Sequence, residues 1–198
     1  MNYFYLLFFL LISNISLGQL SKAEVLKKRT THLNELTDST QNILTQEEIL
    51  EFEGLDYFNF NSEFQIEATF IKKKGRRFKM PTSTERLPVY RKYGVIQFKI
   101  NDTLCELEVY QNMGLRKKDG YKDYLFIPFR DGTSRHETYG GGRYLDARIP
   151  DNSTLLIDFN LAYNPYCAYS YRYSCPIPPE LNTLKINISA GEKIPFGH

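Results

Sequence analysis

VIQFKINDTLCELEVY, residues 95–110, decides how the rest of the chain reads. Two apolar-rich runs, 95–100 and 104–110, are separated by Asn101, Asp102 and Thr103, which predicts a β-hairpin. Cys105, Leu107 and Val109 fall on one face of the second run, so Cys105 reads as a small core residue.

Working outward, the same period of two recurs. Upstream, Phe64, Ile66, Ala68 and Phe70 alternate with Gln65, Glu67 and Thr69. Downstream, 124–129 and 133–139 flank Asp131-Gly132, the strongest short-range hairpin signal. A two-residue turn there sets Ile127 opposite His136, and puts His136 on the face of Leu125, Ile127 and Phe129. In 154–160, Leu155, Ile157 and Phe159 lie on one side, and Leu156, Asp158 and Asn160 on the other. Residues 183–189 repeat the pattern with Leu184, Ile186 and Ile188. The basic run 72–77 is centred on Gly75 and reads as a solvated hairpin tip, against the alternative of a polyanion or membrane-surface contact.

Helical signals are confined to residues 19–54. Ser21/Glu24 and Thr45/Glu48 are two capping boxes, and Gly54 is placed to end the second helix. The first helix carries only a narrow apolar stripe of Val25, Leu26, Leu33 and Leu36, which places it on the surface. The predicted class is mainly β (α+β): an antiparallel sandwich or barrel-like sheet with two short N-terminal helices, in one domain over 19–198. The aromatic content of 15%, with fifteen Tyr and no Trp, suits pleated surfaces. A net charge of +2 with interspersed signs gives no footprint for nucleic acid.

Residues 1–18 read as a signal peptide. The apolar run 3–12 is too short for a bilayer, which takes about twenty residues, and Ser16 and Gly18 are the small residues before a cleavage site. Export to the periplasm or beyond follows, with no transmembrane span in the mature chain.

Chemistry-bearing residues concentrate in 138–179. The three histidines, His32, His136 and His198, are too scattered for a multi-histidine metal site, and no metal or cofactor is assigned. There is no nucleophile elbow, P-loop or dinucleotide fingerprint. His136 is either a general base, with Asp158 as a distant orienting carboxylate, or a satisfied core histidine. Tyr139, Gly141 and Arg143 belong to a Gly-rich segment able to present amides and a guanidinium to an anion, or simply to a turn. Asp158 and Asn160, if buried, need partners; Arg143 is the nearest donor in sequence, so a shared polar site is expected. For Cys167 and Cys175 a local disulfide is the first reading, zinc the second and a cysteine nucleophile the third.

The segments 51–58, 139–146, 158–167, 175–179 and 190–193 together resemble the bacterial family catalogued as domain of unknown function 1684. That resemblance carries no activity to any residue. The leading functional reading is a domain binding a small polar or anionic ligand through Tyr139, Gly141, Arg143, Asp158, Asn160 and Asn164. The alternatives are a hydrolase or transferase-like enzyme using His136 with Asp158 or a cysteine, and a structural component of an envelope assembly using residues 163–173 as contact surface.

Overall fold

The computed structural model describes residues 18–196; the predicted signal peptide, apart from Gly18, lies outside the described residues. Helices α1 (Lys22–Thr37) and α2 (Gln46–Glu51) are followed by strands β1 (Gln65–Lys72), β2 (Arg77–Lys79), β3 (Val89–Ile100), β4 (Thr103–Asn112), β5 (Tyr124–Phe129), β6 (Arg143–Arg148) and β7 (Thr154–Asp158). The strands form one antiparallel sheet in the order β6-β5-β4-β3-β1-β7, with β2 beside β3. The sheet curls into a half-barrel rather than two stacked layers. A bridge between Tyr144 and Tyr163, with amide bonds of 2.9 and 3.1 Å, draws β6 towards the chain that leaves β7.

The β3–β4 hairpin forms as its sequence requires. Ile100 pairs with Thr103. Asn101 and Asp102 both take positive φ (46° and 62°), the conformation a two-residue turn between right-twisted strands demands. One face of the sheet buries Ile96, Phe98, Cys105, Leu107, Leu125, Ile127, Phe129, Leu145, Leu155 and Ile157 in the main core. Cys105 is therefore the small core residue expected of it.

Three expectations are corrected. Residues 72–77 are not a hairpin tip. β1 and β2 both pair antiparallel with β3, and Lys72 lies opposite Gly94 while Arg77 lies opposite Arg91. Two surplus residues bulge outward, yet Lys73 and Gly75 still donate to Tyr93 and Lys92. The charges fan into solvent from an interrupted strand.

Asp131-Gly132 does not close a two-residue hairpin either. Asp131 is buried, and its Oδ1 accepts from the Thr133 amide (2.7 Å) and hydroxyl (2.5 Å). A hairpin tip would leave that carboxylate in water. Instead residues 131–142 run through successive turns, and β5 pairs with β6, Phe129 opposite Arg143. His136 is thereby on the surface and not on the core face.

Residues 183–189 bury Leu184 and Ile188 but form no strand. Their amides and carbonyls pair irregularly with Arg130 and Gly132. The alternation reported burial correctly and could not report the missing ladder.

Both capping boxes are present. The inward stripe of α1 differs from the apolar one expected: Val25, Arg29, His32 and Leu36 point inward, and Leu26 is 44% exposed. Among the described residues no helix is long and apolar enough to cross a membrane.

Candidate functional site

β6 divides the molecule. Its alternation sends Arg143 and Leu145 towards the core side, and Tyr144 and Asp146 to the other. On that second side lies a cleft of about 1020 Å³. Tyr90 of β3, Tyr124 and Phe126 of β5, Tyr144 and Tyr163 supply its aromatic wall. The rings interlock edge to face: Phe126 and Tyr144 centroids are 4.7 Å apart, Tyr144 and Tyr163 5.8 Å. Residues of α1 between Glu24 and Glu35 line the same cleft, and the His32 ring packs 5.6 Å from Tyr163.

Asp146 sits among these rings. Tyr124 and Tyr163 donate their hydroxyls to the same oxygen, Oδ1, at 2.6 and 2.8 Å. Asp146 itself is exposed at the cleft surface, with Oδ1 held between the two hydroxyls. Partial loss of solvent around the carboxyl raises its pKa from the ordinary aspartate value, against the two hydroxyl bonds and Arg148, which pull the other way. Arg148 pairs with Asp123 at 2.8 Å, and no cationic side chain of the described residues forms an ion pair with Asp146. Burial, reinforced by the Asp146 charge, raises the pKa of both tyrosines, so they stay protonated as donors.

A second polar cluster lies behind α1. Glu192 is 1% exposed and accepts from the Asn164 amide (2.9 Å) and side chain (3.1 Å). Burial pushes its pKa up to about 8. His32 Nε2 lies 3.9 Å from Glu192 Oε2, and burial lowers the histidine to about 4. Near neutral pH neither group carries its charge, so the contact is not an ion pair. Arg29 donates to the Asn160 carbonyl through Nε (3.1 Å) and Nη2 (2.9 Å), and to the Phe58 carbonyl (3.0 Å), with its guanidinium 4.4 Å from the Tyr57 ring centre.

The residues singled out from sequence are dispersed. Arg143 does not meet Asp158. It is 1% exposed and pairs with Asp131 at 2.8 Å, donating also to the carbonyls of Ile188, Ala190 and Glu192. Asp158, on the other face, accepts from Gln65 (2.8 Å) and from the Asn160 amide and side chain (2.9 and 2.8 Å). Asn160 also bonds Asn61 in both directions, and Asn164 bonds Glu192. Of Tyr139, Gly141, Arg143, Asp158, Asn160 and Asn164, Asp158 alone lines the cleft. Surface His136 lies outside it too. Gly142 has φ +90°, and a Cβ there would stand 2.6 Å from the Phe129 carbonyl, so this part of the glycine run serves a tight turn.

Cys167 and Cys175 are free thiols, where a bonded pair was expected. They are nonetheless adjacent: Cys175 Sγ accepts from the Cys167 amide at 3.3 Å. The bond from Cys175 to its sulfur lowers Cys167 to about 7, and that same bond raises Cys175. The segment 163–173 mostly faces inward. Tyr163 is in the cleft, Tyr166 and Tyr173 pack edge to face at 5.1 Å, and Tyr171 alone of its tyrosines is strongly exposed, at 92%.

Sequence reasoning missed Asp146, Tyr124 and His32. A signal existed. Arg-Tyr-Leu-Asp-Ala-Arg over 143–148 alternates like a strand, and Val25, Arg29, His32 and Leu36 follow one helical stripe.

A curled antiparallel half-barrel, with an aromatic cleft around one carboxylate, defines a β domain with a recess of ligand size. Residues 50–193 match the family described as protein of unknown function (DUF1684), and the chain belongs to that family. It is also similar to an uncharacterised protein of Haloarcula marismortui solved by solution NMR. That likeness has 30% identity and a TM-score of 0.66, and covers 89% of this chain and 96% of the other. No curated protein matches.

Proposed function

We propose that this protein is a binding domain for a small polar ligand, held in the tyrosine-lined cleft with Asp146 as its polar anchor. One observation carries the reading. Asp146 has one oxygen capped by two tyrosine hydroxyls, while among the described residues no hydrogen bond engages Oδ2. Asp146 is exposed, so Oδ2 stands open at the cleft surface to a donor brought by a ligand. Holding it there without an ionic partner makes sense where a ligand supplies one. The aromatic wall would bury the ligand's apolar body, and the carboxylate would fix its orientation.

The ligand is met after export in this reading, which rests on the apolar run 3–12 and the Ser16/Gly18 pair. Mass spectrometry of the natively produced protein should find an N-terminus at or near Gln19; an intact Met1 would remove the export step. The binding role is tested by thermal shift with a library of small polar compounds. At least one class should raise the melting temperature of the wild type and leave Asp146→Asn unmoved. Stabilisation that survives the substitution would place the ligand elsewhere.

A further inference from the structure

The geometry points to a small organic cation, an ammonium group on a short apolar body, as the ligand class of the cleft; this rests on the cleft being the binding site proposed above. The argument is an inventory of donors and acceptors. Tyr124 and Tyr163 each have one hydroxyl proton, and both are spent on Asp146 Oδ1. Tyr144 spends its own on the Pro176 carbonyl. What these side chains still offer a ligand is lone pairs, the free Oδ2 and ring faces. Such a surface accepts and does not donate. An anion would meet repulsion from Asp146 and find no proton left on these three phenols.

The remaining charges around the cleft do not reverse this. Arg29 is engaged by the carbonyls of Asn160 and Phe58. Asp158 is engaged by Gln65 and Asn160. On α1, Lys27 and Lys28 are offset by Glu24 and Glu35. His32 is held neutral by burial. The sign of the floor is therefore set by Asp146.

A neutral hydroxyl could also donate to Oδ2, and the rings distinguish it from a cation. Tyr124 and Tyr163 hold the carboxylate in a cleft that Tyr90, Phe126 and Tyr144 also line, and aromatic faces attract positive charge through the ring quadrupole. A cation also pairs with the Asp146 charge, which a neutral donor does not.

The test is a ligand-observed NMR titration of the purified protein with matched probes. Choline and n-butylammonium are the cations, 3,3-dimethylbutan-1-ol is the neutral isostere, and 3,3-dimethylbutyrate is the anion. The cations should bind at least tenfold tighter than the alcohol. Asp146→Asn should weaken the cations at least tenfold and leave the alcohol unchanged. Should that variant fail to fold, Tyr124→Leu, which removes a ring from the wall, must weaken the cations instead. If the alcohol or the anion binds as well as the cations, and Tyr124→Leu abolishes that binding, the ligand class is wrong while the cleft remains the site. If no probe binds, or neither substitution matters, both readings fall.

Discussion

Arg143 and Asp146 stand three residues apart on one strand and face opposite sides of it, and the two sides treat charge in opposite ways. On the core side Arg143 has a carboxylate and three carbonyls. Its burial depresses its pKa, yet Asp131 opposes that shift, and both terminal nitrogens are bonded while Nε has no partner among the described residues. It ties residues 188–192 to β6. On the cleft side Asp146 has two neutral hydroxyls and no cation. A charge completed from within belongs to the fold. One left to be completed from outside belongs to a site.

The largest effect expected follows from breaking the completed side. Arg143→Ala leaves Asp131 buried without its cation and three carbonyls without their donor. Urea unfolding should show a loss of about 3–5 kcal/mol, if the variant folds at all. A loss below about 1 kcal/mol would mean that the pair does not hold the C-terminal segment.

Glu192 sharpens the comparison through pH. Its folded pKa of about 8 lies above the ordinary 4.5, so the folded state holds the proton more tightly. The stability this gives is fully present below pH 4.5 and is lost as pH rises through 8. His32 runs oppositely: lowered from 6.5 to about 4, it favours the folded state above pH 6.5 and loses that contribution as pH falls. Between pH 6.5 and 7 the Glu192 slope stands clear of His32 and of Cys167, whose lowered value of about 7 opposes it at higher pH, and stability should fall there by up to about 1.4 kcal/mol per pH unit. Glu192→Gln should flatten that slope in denaturant midpoints measured across the window; an unchanged slope assigns it to another group.

Oxidation of Cys167 and Cys175 is the next effect in size. We propose that the adjacent thiols join when the protein matures in an oxidising compartment. Closing a loop of about nine residues is worth roughly 2–3 kcal/mol. Thiol labelling of the unfolded, unreduced protein should then find Cys105 alone, and three reactive cysteines would refute the pairing.

Asp146→Asn should change least. Asparagine still accepts from Tyr124 and Tyr163, and water already reaches the position, so stability should shift by about 1 kcal/mol or less. Loss of ligand binding with so small a change in unfolding midpoint separates a site from a structural pair. A shift as large as that of Arg143→Ala would erase the distinction.

What could be read from the sequence follows the same division. Local signals reported local structure: both capping boxes, the β3–β4 turn at Asn101-Asp102 and the core place of Cys105 are where the residues put them. Asp131-Gly132 misled because a turn signal says nothing about whether its aspartate is claimed by a distant arginine. Arg143 and Asp158 were joined on closeness in sequence, while the pleat sends them to opposite faces. Asp146 escaped notice because its environment comes from β3, β5, β6, the chain after β7 and α1, which only the curl of the sheet assembles.

The central claim is that the cleft face of β6, and not its core face or the Gly-rich turn, receives a ligand. Chemical-shift mapping of the isotope-labelled protein against the probe that binds it tests this most directly. Amide resonances of Tyr124, Phe126, Tyr144, Asp146 and Tyr163 should move together, while Gly140, Gly141, Ile188 and Ala190 stay still. Shifts centred on the glycines and the 188–192 segment, with the cleft silent, would contradict it.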